Sequence, residues 1–77
     1  MLELLRKAIA EYAEVDVETI TRDTDFVFDL DMNSYDFVRL VGQLEEALCI
    51  EVPDVELRDL RTVGEVEDYL REKLNID

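Results

Sequence analysis

The stretch Asp29-Leu30-Asp31-Met32-Asn33-Ser34-Tyr35-Asp36-Phe37-Val38 carries the chain from an aperiodic, acid-rich segment into a helix. From Ser34 to about Cys49 the apolar positions are Phe37, Leu40, Val41, Leu44, Ala47 and Leu48, the three-four spacing of one helix face. At about 100° per residue the opposite face carries Tyr35, Arg39, Gly42 and Glu46, with Asp36 and Gln43 at its edge. That face is expected to look outward.

On the amino-terminal side, Val15 to Asn33 shows no sustained period. Val17, Ile20, Phe26, Phe28, Leu30 and Met32 recur irregularly among Thr and Asp, which predicts a long loop pinned by apolar anchors. A loop of this length in so short a chain is more often functional than incidental. Before it, Leu2, Leu5, Ile9 and Tyr12, flanked by Ala8 and Ala13, predict a first helix from Leu2 to about Ala13. On the carboxy-terminal side, Ile50, Val52 and Pro53 break the central helix, and Asp54 is a candidate cap for a short turn holding Val55, Leu57 and Leu60. Thr62-Val63-Gly64-Glu65 has the capping-box spacing and opens a closing helix with Val63, Val66, Tyr69, Leu70 and Leu74 on its apolar side. The expected architecture is an all-α four-helix bundle in one domain spanning residues 1–77: three main helices, a short third helix, and a long loop between the first two.

Composition narrows the function. The 77 residues carry 21 acidic and 8 basic side chains with no histidine, a formal charge of −13. Nucleic-acid and acidic membrane surfaces would repel such a chain. Without histidine there is no Ser-His or Cys-His pair, and so short a chain leaves little room for a deep pocket, so an enzyme is not expected. The 48% hydrophobic content argues for folding rather than disorder. Net stability of ~3 to 5 kcal/mol is expected at this size, with carboxylate repulsion subtracting from it, so the melting temperature should rise with salt. A lone cysteine, Cys49, closes no intramolecular disulfide; near the end of the central helix it is expected to be a partly buried small residue. No apolar run approaches the ~18 residues of a membrane span, and a charged, amphipathic opening segment is unlike a signal sequence. A cytoplasmic monomer is expected.

Chemistry concentrates where the loop meets the central helix. Asp29, Asp31 and Asn33 fall on the first, third and fifth positions of a calcium loop, but Ser34 stands where glycine is needed and Leu40 where a bidentate glutamate is needed. Ser34 itself has two readings. As a helix N-cap its hydroxyl would bond a first-turn amide; as an attachment point it would place a phosphate ester against the positive end of the helix.

Over nearly its whole length the chain resembles the acyl carrier protein family, and Asp29 to Val38 is similar to the family's attachment motif, in which an Asp-Ser-Leu triplet opens the second helix. Leu44-Glu45-Glu46, Ile50-Glu51-Val52-Pro53-Asp54, Thr62-Val63-Gly64-Glu65-Val66 and Tyr69-Leu70 are similar to later landmarks of the family, in order and spacing. The resemblance implies that Ser34 carries 4′-phosphopantetheine from coenzyme A, whose thiol holds an acyl group as a thioester, and that Asn33 and Tyr35 flank the cofactor site. It further implies a phosphopantetheinyl transferase and acyl-transferring and synthase enzymes with basic patches as partners. The cargo is left open among fatty acyl, polyketide, aminoacyl and peptidyl groups. Asn33 stands where the family has aspartate, Tyr35 where it has leucine, and Arg39 where an acid is frequent; Asn33 and Tyr35 favour a specialised pathway over general fatty-acid synthesis. Tyr35, Asp36, Arg39, Glu45 and Glu46 are the candidate partner contacts, with a plain Tyr35–Arg39 stack as the bland alternative. The rival function is a non-covalent interaction module using the same acidic helix face.

Overall fold

The computed structural model describes residues 1–75; residues 76 and 77 of the expected domain lie outside it. Four helices run in order, α1 at Leu2–Ala10, α2 at Ser34–Leu48, α3 at Asp54–Leu57 and α4 at Val63–Leu74, with a single 3-10 turn at Val17–Thr19. The all-helical bundle is as expected. Among the described residues the extended pairing is one isolated antiparallel bridge, Asp25 to Thr62.

The apolar faces explain the packing. Leu5, Ala8 and Ile9 of α1, Leu40 and Leu44 of α2, and Val63, Val66 and Leu70 of α4 are buried in one cluster. Ile20, Phe26, Leu30 and Met32 reach into it from the long loop. A smaller cluster of Val41, Val52 and Leu57 lies beneath α3, and Phe37 and Tyr69 pack against both. Burying each such side chain stabilises by about 1.5 to 3 kcal/mol relative to exposure, which must offset the ordering of a loop without helix.

Two stretches of the loop, residues 22–26 and 27–33, are fixed differently. Gly64 N donates to Arg22 O (2.8 Å), Val63 N to Thr24 O (2.9 Å) and Phe26 N to Arg61 O (3.0 Å), strapping residues 22–26 against the entry to α4. Gly64 permits this approach, since a Cβ there would stand 2.9 Å from Arg22 O. Beyond Phe26 the turns rest on aspartates: Asp25 Oδ1 accepts from Val27 N (2.8 Å) and Phe28 N (2.9 Å), and Asp29 Oδ2 accepts from Asp25 N (2.7 Å).

Several expectations are corrected. Phe28 is 82% exposed and Val17 37%, so neither anchors the loop; the aspartate-built turn tips Phe28 outward. The helical hydrogen-bond pattern of α1 tightens after Ala10, with Glu11 N on Ala8 O and Tyr12 N on Ile9 O, so it ends about one turn before Ala13. Cys49 is exposed, because it takes the left-handed position (φ 56°) that terminates α2. Ala47 shares the α2 stripe but nothing covers its methyl group. Asp54 is the first residue of α3, and the cap position belongs to Pro53, which offers no side-chain bond. The capping box of α4 is formed as expected, with Glu65 N on Thr62 Oγ1 (3.2 Å) and Thr62 N on Glu65 Oε1 (3.0 Å).

Candidate functional site

Asn33, not Ser34, caps α2. Its Oδ1 accepts from Asp36 N at 2.8 Å while its backbone stays extended. The capping reading of Ser34 is therefore corrected: two good capping residues stand side by side, and the amide side chain takes the bond. Ser34 becomes the first helical residue, exposed, and its hydroxyl has no hydrogen-bond partner among the described residues. Asp36 N is satisfied by the cap, whereas the N–H groups of Ser34 and Tyr35 precede any helical acceptor. An ester phosphate on Ser34 would meet these amides and the positive end of a 15-residue helix.

Ser34 also opens a groove of about 320 Å³ between α2 and α3, lined by Ser34, Phe37, Val38, Asp54, Leu57 and Arg58. Tyr69 steadies the α3 side by donating its hydroxyl to Glu56 Oε2 at 2.9 Å. Burial first, and then this bond, push the Tyr69 pKa up to about 12. A hollow of about 340 Å³ in the long loop is lined by threonines whose hydroxyls are taken: Thr19 donates to Asp16 O, and those of Thr21 and Thr24 accept from backbone amides. Ser34 is the one serine in the chain.

The outward face of α2 is as read from the sequence, with Tyr35, Arg39 and Glu46 exposed and Asp36 half-buried at its edge. Arg39 stands over Tyr35 with its guanidinium carbon 5.6 Å from the ring centroid. The sequence reading missed a second ring: Tyr12, in the turn that follows α1, lies at the same 5.6 Å from Arg39. Tyr12 donates its hydroxyl to Gln43 Oε1 (3.0 Å), and Gln43 Nε2 donates to Glu11 Oε2 (2.6 Å). A cation is thus held against two aromatic faces, five residues along α2 from Ser34. Glu45 and Glu46 separate: Glu46 is exposed, while half-buried Glu45 accepts from Val52 N at 3.1 Å and ties down the segment after α2.

Of the calcium-loop positions, Asp29 and Asn33 spend side-chain oxygens on backbone amides. Among the described residues no three acidic or cysteine side chains gather where a metal ion could sit. Another group absent from the sequence reading is the buried Glu67 of α4, paired with Arg22 from the loop and, at 3.8 Å, with Arg71. Arg22 also binds Asp68 at 2.8 Å, which holds the Asp68 carboxyl below the usual carboxylate range. These ion pairs belong to the loop–α4 strap and not to the Ser34 site.

What the fold and the site define is a helical scaffold with one open serine hydroxyl. A family model described as the phosphopantetheine attachment site matches residues 3–70. The chain is 39% identical over 67 residues to the acyl carrier protein of Lactobacillus acidophilus, covering 87% of this chain and 84% of the relative. To that of Lactobacillus johnsonii it is 42% identical over 67 residues, with the same coverage. To that of Clostridium perfringens it is 38% identical over 72 residues, covering 94% of this chain and 95% of the relative. The chain belongs to the acyl carrier protein family, whose attached group is phosphopantetheine. The surroundings of Ser34 suit that group: an exposed unpartnered hydroxyl, two free amides and an adjoining groove with an arginine on its rim.

Proposed function

We propose that Ser34 is the attachment point of 4′-phosphopantetheine and that the chain carries acyl intermediates between enzymes without catalysing their transfer. The observation that carries this reading is the division of labour at the start of α2, where Asn33 takes the cap and Ser34 keeps a free, exposed hydroxyl. When attached, the group supplies a thiol that holds the acyl chain as a thioester.

The chain's own residues then hold and present. Asn33 fixes the first turn of α2, and the Ser34 and Tyr35 amides face the phosphate position. The base that takes the Ser34 proton is assigned to the transferase, since no side chain among the described residues is hydrogen-bonded to the Ser34 hydroxyl. Partners are the phosphopantetheinyl transferase and acyl-transferring and synthase enzymes with basic patches, drawn by the net charge of −13. Tyr35, Asp36, Arg39 and Glu46 are the residues we assign to those contacts; Glu45, engaged with Val52 N, contributes through the shape of the loop after α2. Arg39, set against the Tyr12 and Tyr35 rings, presents a cation within an acidic face, which favours a specialised pathway over general fatty-acid synthesis.

The test is intact mass before and after incubation with coenzyme A and a broad-specificity phosphopantetheinyl transferase, for wild type and Ser34→Ala. Gain of one arm by the wild type alone is expected. A folded wild type that gains nothing, or a Ser34→Ala chain that gains the arm, overturns the assignment.

A further inference from the structure

The residue that the sequence reading left out of the site is Arg58, at the carboxy-terminal end of α3. It lines the same groove as Ser34 from the opposite side. Among the cationic side chains, a guanidinium that shares a groove with Ser34 and has no ion pair is the one placed to meet an anion there. Arg6, Arg22 and Arg71 are paired with carboxylates, and Arg39 is held against two aromatic rings. Arg58 has no carboxylate partner within 4.0 Å among the described residues, although Asp54, one turn earlier, lines the same groove. Arg61 also has no ion pair among the described residues, but it opens on a separate hollow with Asp25, Val27 and Phe28.

On the reading that Ser34 is modified, we propose that Arg58 is the counter-ion of the phosphodiester, binding its non-bridging oxygens across the groove and holding the first bonds of the arm toward α3. The chemistry is that of a planar guanidinium and a phosphate, which match as a two-point donor and acceptor pair. The free amides of Ser34 and Tyr35 approach the same phosphate from α2, so the anion is met from both walls. Lysine in place of Arg58 would keep the charge and lose the fork.

The test follows the Arg58 Nε–H resonance by nuclear magnetic resonance in three preparations: unmodified chain, chain carrying the arm as verified by intact mass, and chain made with phosphoserine at position 34. The phosphoserine form sets a phosphate on the same oxygen without any transferase, so failure of arm attachment and failure of the Arg58 contact are separately visible. The Arg58 resonance is expected to move in both modified forms while those of Arg39 and Arg61 stay, and to return toward its unmodified position near 1 M salt, where charges are screened within about 3 Å. In Arg58→Gln the phosphorus resonance of the modified chain should lose its offset from a free phosphodiester, with Arg58→Lys restoring part of it. An unmoved Arg58 resonance, or a phosphorus resonance identical in wild type and a folded Arg58→Gln chain, overturns the proposal.

Discussion

The two halves of the long loop are held by different means. Residues 22–26 are hydrogen-bonded across to the entry of α4 through Arg22, Thr24 and Phe26. Residues 27–33 bond locally instead, through Asp29 N and Leu30 N on Asp25 O, Asp31 N on Val27 O and Met32 N on Phe26 O. The first half is part of the bundle's frame. The second is a self-contained turn that sinks Leu30 and Met32, exposes Phe28, and delivers Asn33 and Ser34 to the start of α2. A carrier needs both properties: a rigid frame, and an attachment residue whose polar groups the frame does not use.

The sharpest contrast lies between two phenylalanines two residues apart. Phe26 is 2% exposed, with its ring centroid 5.0 Å from that of Phe37, and Phe28 is 82% exposed. Phe26→Ala should cost about 3 to 5 kcal/mol, enough to unfold much of a domain this small, while Phe28→Ala should fall within about 0.5 kcal/mol. Urea denaturation of both variants checks this, and equal losses would erase the distinction between the halves. Next in size is Gly64→Ala, expected to cost about 1 to 3 kcal/mol because the added methyl meets the Arg22 carbonyl. A Gly64→Ala chain as stable as wild type would mean that the strap to α4 yields easily.

On the other side of the comparison, Asn33→Ala should cost about 1 kcal/mol through loss of the cap, and Asn33→Asp much less. Thermal unfolding of the pair measures it. The smallest effects are pH-dependent. The Tyr69 pKa is raised from 10.0 to about 12, first by burial and then by Glu56. Its contribution is therefore complete below about pH 10 and declines as pH rises through that window, and Tyr69→Phe should remove this part of the alkaline decline. Glu65 and Asp68 are lowered, the former by the Thr62 and Arg61 amides and the latter by Arg22. Their contribution has the opposite course, present above the ordinary carboxylate range and lost as pH falls below it. A stability profile flat at both ends would contradict these assignments.

Features with a fixed spacing were legible in the sequence. The Thr62–Glu65 capping box and the outward face of Tyr35, Arg39 and Glu46 depend on offsets of three and four residues, which a helix converts directly into geometry. The loop was legible in its place and in the anchors Ile20, Phe26, Leu30 and Met32, but not in its course, because its turns are made by Asp25 and Asp29 side chains and hydrophobicity alone cannot tell Phe26 from Phe28. Nor could the sequence choose between Asn33 and Ser34 as the cap, since both residue types perform that task well. Tyr12 and Arg58 come to the two sides of α2 from separate parts of the chain, the turn after α1 and the end of α3, which no local pattern encodes.

The central claim is that Asn33 takes the cap and thereby leaves the Ser34 hydroxyl free. The initial rate of arm attachment from coenzyme A, followed by intact mass in wild type, Asn33→Asp and Asn33→Ala under one transferase, tests it most directly. With an oxygen acceptor at position 33, wild type and Asn33→Asp should react at similar rates. Asn33→Ala, in which the Ser34 hydroxyl is the nearest side-chain acceptor for the first-turn amides, should slow several-fold while remaining folded. A folded Asn33→Ala chain that reacts as fast as wild type would show that Ser34 owes its availability to something other than the cap.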